Sequence, residues 1–470
     1  MLNRVPWWLV VVVLLAWVVL RPESLPPELR WSGLPTEPAL PQHPAINVYF
    51  NQSRASQYRD PYRDLLRYGD DLERQIVTEI GRARTSIDVA MHELSLPAVA
   101  LALAERHRRG IAVRVILEDD YSLDWAGVHS PEDLPRASRS RYLDWRAFVD
   151  QDRDGRLSSD ELDRRDCLWI LDRAGVPRID DTADGSRGSG IMHHKFLVID
   201  GLRVLTGSTN LTLSDVHGDP DDPATRGNAN HLLVLTDPTL ARLYGEEFAW
   251  MWGDGPGGAS DSLFGRHKPV RPPHTIRIED AIITVQFGPG RTSTDAASTI
   301  NTSIGRALSG AVHSIDLALF VFSANEITNT LRQRVETRPG LVVRGVLDPG
   351  FAYRPYSAAL NLWGVPLSER CMQSHGHVPW EPPLSSVGIA LLPRGDKLHH
   401  KFAILDSRVV LTGSHNWSAG ADRRNDENFL VIKNRTVAGH FRREFERLYR
   451  RTVLGPPGPG SERLKCRRRK

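Results

Sequence analysis

MHHKFLVIDGLRVLTGSTN, residues 192–210, is written a second time as LHHKFAILDSRVVLTGSHN at residues 398–416. Each copy reads as two short apolar strands folded about a polar turn, Asp200-Gly201 in the first and Asp406-Ser407 in the second. Side chains two apart share a strand face, so His193 points with Lys195, and Ser208 with Asn210 across the hairpin. His399, Lys401, Ser414 and Asn416 repeat the arrangement. Four polar groups therefore converge on one patch in each copy.

The surroundings repeat as well. Ile46-Asn47-Val48-Tyr49-Phe50 alternates like a strand and is matched by Ile283-Thr284-Val285-Gln286-Phe287. A helical stretch and the strand Ser86-Ile87-Asp88-Val89-Ala90 are matched by residues 300–308 and Ser314-Ile315-Asp316-Leu317-Ala318. A further helix leads to the strand at residues 113–118, and its counterpart leads to residues 343–348. Apolar strands alternating with helices predict a largely parallel α/β sheet in each half.

His-x-Lys-x4-Asp followed by Gly-Ser-x-Asn, complete in both copies, resembles the signature of the phospholipase D superfamily. The resemblance runs from about residue 45 to 450. It implies a duplicated phospholipase D fold, two α/β domains related by a pseudo-twofold axis, with one active site shared between them. It also implies phosphodiester hydrolysis or transfer through a phosphohistidine, with no catalytic metal. One imidazole attacks phosphorus while the opposite, protonated imidazole hands a proton to the leaving alcohol. Lys195, Lys401, Asn210 and Asn416 would hold the non-bridging oxygens, and Ser208 and Ser414 would bind phosphate or brace the histidines. Asp200 and Asp406 belong to the motif, but their place at a turn fits a structural role at least as well.

The halves differ at one element. Asn425-Asp426-Glu427-Asn428 follows the second hairpin, whereas Asn228-Ala229-Asn230-His231 follows the first, so Glu427 aligns with Asn230. A carboxylate favours an imidazolium more than an amide does. The expectation is that Glu427 keeps His399 protonated as the acid and leaves His193 as the nucleophile. Asp215, Asp219, Asp221 or Asp222 would remove the asymmetry by restoring a carboxylate to the first site.

The long insertion in the first half, residues 121–190, has a motif of its own. Asp150, Asp152, Asp154, Arg156 (through its carbonyl), Ser158 and Glu161 stand at the liganding places of an EF-hand loop, and Gly155 stands at its sharp turn. Helices at residues 141–149 and 161–171 are expected to flank it. With no second loop to pair with, the expected role is a structural Ca2+ site. The shorter insertion of the second half, residues 349–394, carries Trp363, Trp380, His375 and His377, and its aromatic residues are expected to line a substrate entrance.

Composition bounds the rest. The 470 residues are 40% hydrophobic and 25% charged, enough for two sizeable cores. A net charge of +3 implies no strong polyanion-binding field over the whole chain. The three cysteines have no zinc-like or redox spacing, and Cys167 and Cys371 would pair only if their insertions touched. Residues 1–21 read as a signal-anchor, apolar from Val5 to Leu20 with Arg4 and Arg21 at its ends and no small-residue cleavage site. Residues 22–44 form a proline-rich spacer. The first domain is placed at 45–250, a Gly/Pro-rich linker at 251–274, the second domain at 275–450 and a basic tail at 451–470.

The expected location is outside the cytoplasm, membrane-anchored, or secreted if the N-terminal segment is removed. Beside a bilayer, a phospholipid headgroup is the leading substrate for a phospholipase D-type hydrolase or transphosphatidylase. A nuclease and a cardiolipin synthase-type transferase share the same groups. A non-enzymatic calcium-binding scaffold is disfavoured by the intact His and Lys pairs. The chain is expected to be a monomer with an internal pseudo-dimer.

Overall fold

The computed structural model describes residues 37–185, 190–291 and 299–456. The expected anchor, most of the spacer and all but the start of the basic tail lie outside these residues. Among the described residues no helix is long and apolar enough to cross a membrane.

Two sheets carry the duplication. In the first half the strands are β1 (Ile46–Phe50), β4 (Ser86–Met91), β5 (Ala112–Leu117), β6 (Arg178–Asp180), β7 (Lys195–Ile199), β8 (Arg203–Gly207) and β9 (His231–Thr236). The short ribbon β2 (Gln57–Arg59) and β3 (Leu66–Tyr68) stands apart. The second half has β10 (His274–Ile278), β11 (Ala281–Phe287), β12 (Ser314–Leu319), β13 (Val342–Leu347), β14 (Val387–Ala390), β15 (Lys401–Leu405), β16 (Val409–Gly413), β17 (Asn428–Lys433) and β18 (Thr452–Leu454). The first sheet runs β1-β9-β8-β7-β4-β5-β6 and the second β10-β11-β17-β16-β15-β12-β13-β14-β18. Apart from the edge strands β10 and β18, the two orders are the same.

The expectation of largely parallel sheets is corrected. Only β4/β5/β6 and β12/β13/β14 pair in parallel; the other pairs are antiparallel. Each motif hairpin lies inside its sheet, and its first strand runs against β4 or β12. Parallel pairing survives only where a helix makes the crossover.

Matching ion pairs brace the two sheets. Arg114 binds Asp88 with Nε 2.7 Å from Oδ1, and Arg344 binds Asp316 at the same distance. Each guanidinium also lies over a ring of the helix that ends its half, Phe248 of Pro238–Trp252 or Phe445 of Arg435–Tyr449. One apolar core joins the halves, with Phe196, Leu233 and Tyr244 in the same cluster as Phe402, Leu430 and Phe441.

The insertion holds helices Arg139–Val149, Ser159–Arg165 and Cys167–Arg173. The last two were expected as one. Asp166 breaks them by taking an extended conformation and accepting from the amides of Leu168 and Trp169, which starts a new helix. Cys167 is buried and free. In the second insertion Trp363 and Trp380 are buried in the core, so they do not line an entrance. The segment expected as a linker is also anchored: Lys268 is buried between Glu247 and Asp426, 2.7 Å from the latter.

Candidate active site

The backbone of each motif is tied to the other half. His193 N–H donates to the Asp426 carbonyl at 3.0 Å and Asp426 N–H returns the bond to Ile191. The matching pair, His399 N–H to Ala229 at 3.1 Å and Ala229 N–H to Lys397 at 2.8 Å, sits across the pseudo-twofold. The approach is close: a Cβ on Gly190 would lie 2.5 Å from the Arg424 carbonyl oxygen.

These bridges carry the side chains across with them. His193 Nδ1 lies 2.8 and 2.9 Å from the two oxygens of Glu427, and Ser414 Oγ donates to the same carboxylate at 2.6 Å. In the mirror site His399 Nδ1 lies 3.0 Å from Asn230 Oδ1, which also accepts from Ser208 Oγ at 2.7 Å. A serine of one motif and the histidine of the other are thus joined through one intervening residue, twice. This gathers His193, His399, Ser208 and Ser414 into one cleft with Glu427 and Asn230.

The expected pairing of Glu427 with His399 is therefore corrected: Glu427 serves His193. Residues on the strand after each hairpin were assigned to their own half, whereas the interface exchanges them. The carboxylate near His399 is Asp215, with Oδ1 3.7 Å from Nδ1. It was among the candidates, but for the wrong histidine.

Lys195 and Lys401 enter the cleft from β7 and β15. Their ammonium groups donate to the carbonyls of His193 at 3.0 Å and His399 at 2.6 Å. Burial lowers Lys195 to about 8 against the pull of Glu427 and Asp215, and burial with Lys195 beside it lowers Lys401 well below the usual range. Burial and the two lysines also hold His193 and His399 well below the usual imidazole value. Burial raises Glu427. The side-chain carbonyls of Asn210 and Asn416 are buried without a hydrogen-bond partner among the described residues; only their amide N–H groups could donate to a phosphate oxygen.

The motif glycines also have a reason. Gly413 takes φ +138° and a Cβ there would lie 2.4 Å from the Asn428 carbonyl oxygen, while one on Gly207 would lie 2.3 Å from that of His231. Only glycine lets each hairpin approach the strand that follows it.

Asp200 and Asp406 stand away from this cluster. Asp200 accepts from the amides of Arg84, Thr85 and Ser86, and Asp406 from those of Val312, His313 and Ser314. Both have left-handed backbones, φ +55° and +52°. Each ties its hairpin turn to the start of the neighbouring strand, so their inclusion among the catalytic groups is corrected to a structural role. Sequence reasoning also passed over the second histidine of each motif. His194 binds Glu247 and His400 binds Glu444, both at 2.9 Å and fully buried, which locks each hairpin to the last helix of its half. The repeated His-His was the available signal.

His92 and Phe320 hold equivalent places after β4 and β12. The first ring meets His193 edge-on with centroids 4.9 Å apart, and the second meets His399 at 4.8 Å.

Away from the cleft, oxygen atoms of Asp150, Asp152 and Asp154 lie within 4.8 Å of one another. Asp150 Oδ1 is buried without a hydrogen-bond partner, and Arg153 and Gly155 take left-handed φ of +59° and +77° that curl the loop. Glu161 accepts from the amides of Gln151 and Ser158 at 2.7 and 2.9 Å, which holds its carboxylate at the closing end of the loop and lowers it to about 2. Ser158 caps the following helix, and the Arg156 amide bonds Asp154. The three aspartates form a carboxylate group that fits a hard cation, and Glu161, whose oxygens accept from Gln151, Asp152 and Ser158, is not among the grouped oxygens.

The family described as "Cardiolipin synthase, PLD-like domain" matches residues 76–252 and 304–449. The human mitochondrial cardiolipin hydrolase is 34% identical over 146 residues, 31% of this chain and 48% of the relative. That of Xenopus laevis is 31% identical over 142 residues, 30% of this chain and 57% of the relative. The chain spans about half the length of these curated relatives. The phosphatidylserine synthase structure from Haemophilus influenzae Rd KW20 superposes with a TM-score of 0.53 at 12% identity over 90% of each chain, a likeness of fold. With both hairpins complete and the matched segments covering most of each lobe, the chain belongs to the phospholipase D-like family of the cardiolipin synthase type.

Proposed function

We propose that the chain is a phosphodiesterase of phospholipase D type that hydrolyses or transfers phospholipid headgroups through a phosphohistidine. The observation that carries this reading is the crossed pair His193–Glu427 and His399–Asn230, with a lysine beside each imidazole.

The His193 Nδ1 proton is donated to Glu427, which leaves the Nε2 lone pair as nucleophile and places a carboxylate where positive charge grows on the ring. Attack forms the P–N bond. The P–O bond to the alcohol breaks, and imidazolium His399 supplies the proton to the departing oxygen. An arriving phosphodiester anion raises His399 toward its charged form, aided by Asp215. Lys195 and Lys401 meet the charge on the non-bridging oxygens. Water, deprotonated by His399, or a second alcohol then displaces His193.

The loop at residues 150–161 binds Ca2+ as a structural ion in this reading, with carboxylate oxygens from Asp150, Asp152 and Asp154, and Glu161 would have to release its bonds to Gln151 and Ser158 to join them. The N-terminal segment keeps the catalytic part beside a membrane. The test is turnover by the full chain of phosphatidylcholine, phosphatidylglycerol, cardiolipin and single-stranded DNA, against His193→Ala and His399→Ala. Lipid turnover lost in both variants supports the reading. Turnover of DNA alone, or activity indifferent to both substitutions, overturns it.

A further inference from the structure

Behind His399 a chain of hydrogen bonds runs through Asn230, Ser208, His231 and His400 to Glu444, crossing between the halves as it goes. Resting on the phospholipase D-type reading above, we infer that His231, which lies outside the repeated motif, is a positioning residue. It sets the direction of the protons along this chain and so holds His399 in the tautomer that leaves Nε2 for the substrate.

The chain starts at a fixed charge. Arg447 lies 2.6 and 2.7 Å from the Glu444 oxygens and, against the effect of burial, holds that carboxyl down to about 2. An ionised carboxylate only accepts, so His400 donates to it from Nε2 at 2.9 Å. Burial keeps His400 below the usual imidazole value and His231 well below it, so both rings are neutral. His400 therefore has a lone pair on Nδ1. His231 Nδ1, 3.1 Å from that atom, carries the proton between them. His231 Nε2 is left to accept from the Thr412 hydroxyl at 2.6 Å.

The same direction reaches the cleft. The Asn230 amide nitrogen donates to the Asp215 carbonyl at 3.2 Å, which turns the amide oxygen toward Ser208 and His399. That oxygen only accepts. Ser208 gives it its one proton at 2.7 Å, so the serine oxygen takes a share of the His231 Nδ1 proton at 3.1 Å. His399 Nδ1, 3.0 Å from the Asn230 oxygen, likewise donates. Ser208, Asn230, His231 and His400 have no exposed surface, and the rings of Phe402 and Phe441 pack on His231, so water does not reorder the chain.

The nucleophile has no such chain. Asn428 stands where His231 would, and its side-chain oxygen accepts from Thr206 at 3.1 Å. His194, the counterpart of His400, has a buried Nδ1 without a hydrogen-bond partner among the described residues. Glu427 orients His193 directly, and a carboxylate can only accept. A hydroxyl can point either way, and the additional histidine stands on the side that relies on one.

The test follows single-turnover release of phenol from diphenyl phosphate and of nitrophenol from bis(4-nitrophenyl) phosphate. Nitrophenolate departs with little help, whereas phenol needs the proton from His399. His231→Leu is expected to slow phenol release roughly tenfold, the size of one oriented hydrogen bond, and nitrophenol release by less than about threefold. Thr412→Val, which removes only the hydroxyl donating to His231 Nε2, is expected to act in the same direction should His231→Leu fail to fold. Ser208→Ala combined with His231→Leu is expected to lose no more than the worse single variant, because both interrupt one chain. Apart from turnover, ¹⁵N spectra of histidine-labelled protein, assigned by substitution, are expected to show the proton on Nδ1 of His231 and His399 and on Nε2 of His400, with a mixture at His399 in Thr412→Val. Equal slowing of both diesters, losses that multiply, no loss at all, or a parent His399 protonated on Nε2 alone overturns the proposal and leaves the enzyme reading intact. If neither diester shows His193-dependent turnover, the enzyme reading is what fails, and the spectra still decide the chain.

Discussion

Glu427→Gln isolates the exchanged dyad. Glu427 has no exposed surface and takes bonds from His193 Nδ1, Ser414 Oγ and Asn425 Nδ2. Glutamine keeps the volume but offers one oxygen where two accept, and its amide donates, which favours the wrong tautomer of His193. A positioned acid–base partner contributes ~10²–10⁴-fold. At 1.36 kcal/mol per tenfold, the barrier rises by about 3–5 kcal/mol. The fold loses less, about 1–3 kcal/mol for the disturbed hydrogen bonds. Single-turnover kinetics with bis(4-nitrophenyl) phosphate gives the rate of P–N bond formation, and a thermal melt confirms that the lobes stay docked. Acid-labile phosphate trapped during turnover is expected on His193. A folded Glu427→Gln enzyme within threefold of the parent rate, or label on His399, refutes the reasoning.

The pH profile follows from Lys195. Its pKa is depressed to about 8, so the cation exists below that pH and is lost above it, and kcat/KM is expected to fall with unit slope as pH rises through about 8. Lys195→Arg should remove that limb, since a guanidinium stays charged; a limb unchanged in this variant assigns it to another group. Asp200→Ala and Asp406→Ala are each expected to cost about 0.5–1.5 kcal/mol of stability through hydrogen bonds lost at a water-accessible turn, with kcat/KM little altered; a large kinetic loss at an unchanged Tm returns them to the chemistry. Calcium at a hundredfold excess over its Kd is expected to stabilise the chain by about 2.7 kcal/mol, seen as a higher Tm that a chelator reverses. The double variant Asp150→Asn, Asp152→Asn should not respond, and a parent Tm indifferent to calcium ends the proposal of an ion there.

Local patterns in the sequence were the legible part. Apolar runs on either side of a polar turn located the hairpins, the repeat implied the duplicated α/β architecture, and residue types at two-residue spacing identified the imidazole and ammonium pairs. The illegible part lay in relations between the halves. Nothing in residues 425–428 says that Glu427 turns toward His193; that depends on backbone bridges formed only when the lobes dock. Strand direction failed for a related reason, because a hairpin and a crossover strand have similar composition and differ only in how they are connected. Trp363 and Trp380 misled because an aromatic residue in a loop-rich stretch reads the same whether it faces a cleft or closes a core.

The reciprocal backbone bridges make each lobe an incomplete catalyst. Severed at residues 251–274, neither fragment would possess an imidazole with its full set of partners, yet co-expression would restore both sets together. Heat inactivation and separation of the lobes should then coincide. Substitutions scattered over the apolar seam would show up as loss of turnover, although none of them touches a substrate.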